Sequence, residues 1–433
     1  MAFIESQVAD TFVEKMRKKK PLVDLVPYAS RFYKWFGKVA EVEVTTNNDL
    51  KIPVRVGDGA AVSYADFDQG AAGEGGAPSF KNMLSRPKQI QAISQLSLAG
   101  MKHTDSQEKA AENLFTFALA DHAKRMASTF DSLLLSPAGV FATVTTGTTG
   151  TSLVVSDVRH FYEGMPLARY SSNMVTPRTS ASGKAPRVTG VNRLTKTITL
   201  NEGFTGGTPA TSDLLLLGGL SGASPSTILS IYDFHQNAAT GTVGGLSRAT
   251  YDQLRSAKAS AGSMLNVMHG YASLFALGQK RPEMLDLPKE AVWIGSAGAF
   301  AGNAIDVTQR QQIVFNVKQD NGSGARAPVD YSFNILSDGS FAGIPTMLCA
   351  HAKDDRIELV IKKNWGKQVT IEPQPIDWGN GGRMFPVIDS VTYTPKYQYL
   401  FGNVAEFQIY CVDPGSEAYI DNIALPAGWS ALA

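Results

Sequence analysis

Cysteine is scarce in this chain: Cys349 and Cys411 are the only two among 433 residues. Two cysteines cannot form a disulfide scaffold, and without a C-x-x-C spacing they indicate neither a zinc site nor a redox pair. Both stand in apolar, strand-like runs, so we expect buried free thiols. This cysteine usage is typical of a protein that is made and folded in a reducing cytoplasm.

Long apolar runs and an excess of one charge are also lacking. Residues Met1 to Lys20 have no signal-peptide core, and no stretch of about eighteen apolar residues predicts a membrane span. Lys and Arg number 40 against 39 Asp and Glu, which gives a formal charge of +1. This balance argues against a protein whose whole surface binds nucleic acid or acidic lipid, so any such contact must be local.

Catalytic motifs are absent as well. The six histidines are scattered, and the sequence has no H-E-x-x-H, G-x-S-x-G, phosphate loop or dinucleotide fingerprint. Gly295–Gly298 only faintly resembles a nucleophile turn, and Asp354-Asp355 fits a polar hairpin turn better than a cation site. The sequence therefore predicts no enzyme, no metal and no cofactor.

A long helix is the most regular feature of the chain. From Thr104 to Leu135, apolar residues recur at steps of three and four, which predicts one packed stripe. We expect this stripe to pack through Phe115, Leu119, Met126 and Phe130. His122 interrupts the stripe and is interpreted as a half-buried histidine with a hydrogen-bond partner.

The N-terminal region combines an amphipathic helix, Ile4 to Lys19, with a basic run of Arg17, Lys18, Lys19 and Lys20. Such a run is either a solvated helix end or a contact for phosphate or an acidic partner. The aromatic group Phe32 to Phe36 has two readings as well. It is either a stacking platform for single-stranded nucleic acid or, more often, an arm packed onto a neighbouring subunit.

Alternating apolar residues and a glycine-rich stretch follow. The alternation at Val42 to Val56 and again at Ile90 to Leu98 predicts a long two-stranded ribbon within 39–101. Glycines at the predicted tip are Gly70, Gly73, Gly75 and Gly76, with Lys81 and Lys88 as the lysines near it. Because an isolated ribbon is marginal in water, it needs another chain to lie on.

The composition shifts to Thr, Gly, Ser and Val after Pro137, and five short strands are predicted up to Ser221. They suggest a small β-barrel or sandwich inserted in the chain, with Ser171 to Pro186 as a surface loop. Beyond it, Leu246 to Met264 and Tyr271 to Gln279 have helical spacing. Strands are predicted at Ala291–Ile294, Ile313–Val317, Tyr331–Leu336, Thr346–Ala350, Ile357–Lys362, Val391–Tyr399 and Val404–Val412.

This order of parts resembles the major capsid proteins of tailed bacteriophages, whose fold is shared with the herpesvirus capsid floor. Two local segments carry the likeness. Gly245–Leu254 is similar to the segment with which many such proteins enter their last domain. Gly343-Ile344-Pro345, the turn at Asp354-Asp355 and Trp365 resemble their late hairpin.

The resemblance implies an α+β capsid fold with five parts. The N-terminal arm would be 1–38, the extended loop with a peripheral-domain strand 39–101, and the spine helix 102–136. The inserted β-module would be 137–222, and the axial domain with the remainder of the peripheral domain 223–433. Glycines at the loop tip and at Gly218-Gly219 would act as flexible joints that allow the same chain to fit into both pentamers and hexamers.

The function that the resemblance implies is structural. Pentamers and hexamers of the chain would form the icosahedral head around double-stranded DNA, assembled in the cytoplasm of a bacterial host. Partners would be other copies, a separate scaffolding protein, a portal, a possible decoration protein and DNA bound without sequence preference, with no membrane. The basic cluster Arg17 to Lys20 would face the lumen, and Lys81 or Lys88 could form the isopeptide cross-link that some members make.

Three alternatives stay open at the sequence level. A cellular, encapsulin-like compartment shares the implied fold, but such shells are usually shorter and lack an insertion of this kind. A β-rich carbohydrate-binding or adhesive protein would suit the middle of the chain, although it fits poorly with the long helix and the missing secretion signal. A hydrolase would need a clustered nucleophile and base, which the sequence does not show.

Overall fold

The structure is a computed structural model. It describes residues 32–37, 49–57, 77, 79–97, 114–146, 150–180, 182–204, 210–219, 227–285, 290–305, 340–377, 385–388 and 395–427. Within these ranges the protein is α+β and rich in strands, as the sequence predicts. None of the helices described in these ranges is both long and apolar enough to cross a membrane.

The helices of the described ranges are α1 (Phe32–Trp35), α2 (Leu114–Leu134), α3 (Ile231–Phe234), α4 (Val267–Lys280) and α5 (297–305). The strands up to the middle of the chain are β1 (Leu50–Gly57), β2 (Ser79–Ser85), β3 (Lys88–Ser97), β4 (Val140–Thr143), β5 (Ser152–Val154), β6 (Leu167–Tyr170), β7 (Pro177–Arg178), β8 (Val188–Asn192), β9 (Thr197–Leu200) and β10 (Leu214–Leu217). The later strands are β11 (Thr242–Val243), β12 (Leu246–Ser247), β13 (Ala257–Ser260), β14 (Ala291–Gly295), β15 (Ser340–Phe341), β16 (Ile344–Leu348), β17 (Ile357–Ile361), β18 (Trp365–Pro375), β19 (Phe385–Ile388), β20 (Pro395–Cys411) and β21 (Ala418–Asp421).

The described residues fall into two compact units. The first takes its residues from 1–39, 87–131 and 367–408, and the second from 40–86, 132–366 and 409–433. Each unit is therefore assembled from three separated stretches of the chain.

A four-stranded sheet of β18, β20, β19 and β3 forms the frame of the first unit. β3 pairs antiparallel with β20 over ten residues, from Gln398 opposite Ser97 to Phe407 opposite Lys88. The part of α2 in this unit packs Met126 and Phe130 into the interior. Aromatic rings fill the space beneath the helix, because Phe130 lies 4.7 Å from Phe407, centroid to centroid.

A six-stranded mixed sheet is the centre of the second unit, in the order β13-β21-β17-β14-β16-β15. β17 is buried at every position, as a central strand covered on both faces requires. The core includes Trp293, Leu359 and Ile420, and α4 packs against this cluster through Leu277. The six-stranded sheet therefore supplies the rigid base for the helix face described below.

The segment expected to form the β-module contains two small sheets in the second unit. One has the order β4-β10-β6-β7 and the other β5-β9-β8. Single bridges, Val144 to Val155 and Pro166 to Arg187, join their ends. All five predicted strands appear. The sequence missed β6 and β7, and β7 lies within Ser171 to Pro186, which was expected to be loop.

The ribbon differs from the expected one in its pairing. β1 pairs with β2 from Leu50 opposite Ser85 to Gly57 opposite Ser79, whereas the sequence suggested Ile90 to Leu98 as the second strand. That segment is β3 and belongs to the sheet of the first unit. Alternation alone could not distinguish these partners, because β2 and β3 both have a covered face.

Two further expectations are wrong. Leu246 to Met264 is not a helix: it contains β12, a short 3₁₀ turn at Asp252–Leu254 and β13. The strands flanking Asp354-Asp355 do not form a hairpin, because β14 lies between β16 and β17. The turn is therefore part of a connection that crosses over one strand. The predicted strands at 313–317 and 331–336 lie outside the described residues.

Candidate functional site

Several predicted site residues lie outside the described ranges. They are Arg17, Lys18, Lys19 and Lys20 of the basic cluster and Gly70, Gly73, Gly75 and Gly76 of the loop tip. Lys81 lies exposed on β2, opposite Val54. Lys88 begins β3 in the first unit, opposite Phe407.

The predicted stripe of the spine helix falls on α2. Phe115 is in its first turn, Leu119 is half-buried, and Met126 and Phe130 are buried. His122 is buried too, with its Nε2 2.6 Å from the Ser94 hydroxyl and its ring stacked on Phe401. Burial lowers the pKa of His122, which keeps the imidazole neutral. This histidine is a packed, hydrogen-bonded residue.

The aromatic group near the N-terminus packs against residues of its own chain. Phe32, Tyr33 and Phe36 are buried. Tyr33 contacts Phe130 and Phe407, both at 4.9 Å between ring centroids. The carboxylate of Asp131 accepts hydrogen bonds from the backbone amides of Phe32 and Tyr33. These rings are therefore unavailable as a stacking platform for nucleic acid.

The base of the ribbon is fixed at two points within the second unit. Arg86 donates two hydrogen bonds to Asp49, at 2.7 and 2.8 Å, which ties the start of β1 to the end of β2. The amide of Leu84 donates to the carbonyl of Gly244. Gly244 has a φ of +53°, and a Cβ there would lie 2.0 Å from Met83 Cγ, so only glycine fits.

One face of the ribbon is open to solvent. The register places Arg55 opposite Phe80 and Lys51 opposite Leu84 on this face. Phe80 is 61% exposed and Leu84 44%. The other face buries Ile52, Val54 and Met83. Phe80 and Leu84 are thus large apolar side chains on the outer face of the ribbon.

Helix α4 and the turn before it carry a second exposed apolar surface, which was not predicted from the sequence. Met264 in the turn and Met268, Tyr271 and Phe275 on the helix follow at steps of four, three and four, and are 46%, 64%, 54% and 64% exposed. The signal was present in the sequence, because no Asp, Glu, Lys or Arg occurs between Lys258 and Lys280. A solvent-facing helix normally has a charged face. We call these four residues the open face of α4.

The nucleophile-like turn at Gly295–Gly298 is a helix cap. Ser296 is buried, its hydroxyl donates to Asp354 at 2.5 Å and accepts from the amide of Ala299 at 3.0 Å. Arg159 also binds Asp354, at 3.0 Å. The adjoining cavity of about 570 Å³ has a mixed lining of apolar and charged side chains, which includes these two. The serine hydroxyl is thus engaged in a structural network.

A buried polar network lies under the six-stranded sheet. His235 Nδ1 is 2.7 Å from Glu358, which also binds Arg356. Glu417 accepts hydrogen bonds from the Ile361 amide and from the Asn364 side chain, both at 2.9 Å. Burial lowers the pKa of His235 and raises that of Glu417 well above its usual value. A substrate cannot reach these fully buried groups, so the network serves the fold.

Within the ranges that the structure describes, no three His, Cys, Asp or Glu side chains are grouped to hold a metal ion. Both cysteines are buried and free, as predicted. Burial raises the pKa of the Cys411 thiol well above its usual value, which makes it a poor nucleophile. The surfaces with functional potential are the open faces of the ribbon and of α4.

No family model matches the chain, and no curated protein matches it. Among solved structures it is similar to the capsid asymmetric unit of cyanophage A-1(L), at 12% identity and a TM-score of 0.48, covering 93% of this chain and 95% of that one. It is also similar to the capsid of a native GTA particle, at 10% identity and a TM-score of 0.45, covering 94% of this chain and 95% of that one. A third similar structure is the mature capsid of bacteriophage PhiM1, at 10% identity and a TM-score of 0.42, covering 94% of this chain and 91% of that one. All three are capsid structures.

Proposed function

We propose that this chain is the major capsid protein of a tailed bacteriophage, a structural subunit and not an enzyme. Its copies assemble as pentamers and hexamers into the icosahedral head that encloses double-stranded DNA. Assembly takes place in the cytoplasm of the bacterial host, and the mature location is the virion. A scaffolding protein, a portal and a decoration protein are the further partners, and the packaged DNA is contacted without sequence preference.

The open face of the β1–β2 ribbon is the observation that carries this proposal. The base of the ribbon is fixed by the Asp49–Arg86 pair and the Gly244 contact, yet Phe80 and Leu84 remain exposed on its outer face. A rigidly held strand pair with apolar side chains outside gains stability only when another surface covers it. Lys51 beside Leu84 favours a covering surface with acidic residues at its edge.

Electron microscopy of the purified full-length chain, together with its size-exclusion profile, tests the proposal. We expect closed shells, or rings of five and six subunits. A monomer that stays folded and dispersed at all concentrations, with and without co-expressed phage scaffolding protein, would contradict a shell function. Shells that contain host enzymes and no nucleic acid when isolated from the natural source would indicate a cellular compartment instead.

The double variant Phe80→Glu/Leu84→Glu tests the role of the ribbon. Two carboxylates on its outer face cannot be buried without a large desolvation cost, so the proportion of protein in shells should fall at least tenfold. Thr189→Glu adds a carboxylate at an exposed position of β8 and serves as the control. Both proteins should unfold at nearly the temperature of the wild type, because exposed substitutions rarely change stability by more than about 0.5 kcal/mol.

A further inference from the structure

The open face of α4 is formed by a helix that is capped at both ends. The Asn266 side chain accepts hydrogen bonds from the amides of Met268 and His269, and the Arg281 amide donates to the carbonyl of Leu277 at 2.7 Å. Lys280 Nζ donates to the carbonyl of Asp252 at 2.8 Å. The helix is therefore held in place without any contribution from its open face.

Its opposite side is packed so closely that the helix cannot turn to hide the exposed residues. Gly270, Ser273, Leu277 and Gly278 are buried against the sheet. A Cβ on Gly270 would lie 2.6 Å from the Cβ of Ala342. A rotation of α4 that buried Phe275 would break the contact of these buried residues with the sheet. The buried face therefore stays buried and the open face stays exposed.

The chemistry of the open face selects an apolar occupant. Between Lys258 and Lys280 the sequence has no charged side chain, so the face offers nothing to a nucleic acid or to an acidic or basic protein segment. Two methionines and two aromatic rings can interdigitate with a surface of the same kind, and sulfur–ring contacts add to the attraction.

The size of the face points to repeated contact between copies. Four side chains of roughly 200 Å² each, somewhat more than half exposed, offer roughly 450 Å². A stable pair of proteins buries about 800 Å² on each partner, so this face alone is too small to hold an isolated dimer. The face can still contribute to stability in a closed assembly, where the same contact is repeated by every subunit.

We infer that the open face of α4 binds a second copy of this chain and becomes buried when the subunits assemble. The inference builds on the proposed shell function, which supplies the many copies. It adds a specific contact: Met264, Met268, Tyr271 and Phe275 lie against a neighbouring subunit in the assembled particle. Charge on this face would then act against assembly and leave the isolated subunit folded.

Methionine oxidation measures this burial directly. Purified subunits and purified assemblies would be treated with dilute hydrogen peroxide, and the sulfoxide at each methionine quantified by mass spectrometry. Met264 and Met268 should react quickly in the free subunit and at least tenfold more slowly in the assembly. The half-buried Met174 of the β-module is the internal reference, and its rate should change less than twofold.

Phe275→Glu provides the matching variant, again with Thr189→Glu as its control. Its subunit should keep the wild-type circular dichroism and melting temperature, while Met268 loses its protection at protein concentrations that protect the wild type. Shells that form normally while both methionines react as fast as in the free subunit would overturn this inference and leave the shell function standing. Concentration-dependent protection without rings or shells would support the α4 contact and contradict the shell function.

Discussion

The carboxylate of Asp131 accepts a 2.7 Å hydrogen bond from the backbone amide of Tyr33, ninety-eight residues earlier in the chain. The same carboxylate accepts from the amide of Phe32 at 3.0 Å. The first amides of α1 are thus capped by a residue near the end of α2. This contact joins the N-terminal segment to the long helix within one compact unit.

Asp131→Ala should loosen this segment. It removes a charged acceptor from two buried amides, and we expect a loss of about 1–3 kcal/mol in the free energy of unfolding. Urea denaturation monitored by tryptophan fluorescence measures the loss. Asp121→Ala, on the same helix, removes a partly exposed pair with Arg125 and should cost under about 1 kcal/mol. Equal losses in both variants would contradict the capping role.

The β-module depends on a buried ion pair. Asp213 binds Arg169 at 3.0 Å and Arg178 at 3.2 Å. The side chains of Asp213 and Arg169 are almost completely buried. Asp213→Asn leaves buried positive charge without its partner, so we expect a loss of about 3–5 kcal/mol. The exposed Asp252, paired with Arg255, gives the control Asp252→Asn, which should cost under about 1 kcal/mol. Thermal unfolding of the two variants decides between these values, and similar melting temperatures would show that the pair is dispensable.

Acidification should weaken the fold through two stacked histidines. Burial lowers the pKa of His160 to about 3 and that of His351 to about 4, and their ring centroids lie 5.4 Å apart. The unfolded chain takes up protons near pH 6.5, before the folded one does, so stability falls as the pH drops below 6.5 and levels off near these lowered values. Between pH 7 and pH 5 each histidine should cost on the order of 1–2 kcal/mol.

The variant His351→Gln isolates part of this effect. Denaturant midpoints would be measured at pH 7, 6 and 5. The free energy of unfolding should fall less steeply with decreasing pH in the variant than in the wild type, because the variant takes up close to one proton fewer on unfolding. His122 and His235 remain in both proteins, so their contribution cancels in the comparison, whereas the variant also removes one of the causes that lower the pKa of His160. Parallel pH dependences would show that His351 is not responsible for the loss.

Close approach of two strands makes Gly402 indispensable. A Cβ at this position of β20 would lie 2.2 Å from the carbonyl oxygen of Ala92 on β3. Gly402→Ala should therefore separate the strands and cost at least about 1–3 kcal/mol. Gly190 of β8 has ordinary backbone angles and its nearest neighbour at 3.9 Å, so Gly190→Ala should change stability by under about 1 kcal/mol. Melting temperatures measure both, and a neutral Gly402→Ala would contradict the close approach.

Local patterns in the sequence identified most of the regular elements. The stripe of α2 and the five strands of the β-module were visible because each has one covered face with a clear period. The free buried state of Cys349 and Cys411 also followed from their apolar surroundings. These features depend on neighbours in the chain and on burial, which the sequence records directly.

Pairing between distant segments was harder to predict. β3 has the same alternation whether it pairs with β1 or with β20, and the choice depends on long-range contacts such as Gly402 against Ala92. The helix expected at Leu246 to Met264 does not form, because the Gly244 turn and the parallel pairing of β13 with β21 override the helical period. The open face of α4 was overlooked because its apolar residues also suit a core.

The position of β21 in its sheet has a consequence for synthesis. This strand spans Ala418–Asp421, yet it pairs on one side with β13 and on the other with β17, more than fifty residues earlier. The sheet therefore remains open until the ribosome has released these late residues, and α4 has no finished base before then. A chain cut short before residue 418 cannot present the same surfaces, so truncated products would be excluded from any structure built of complete subunits.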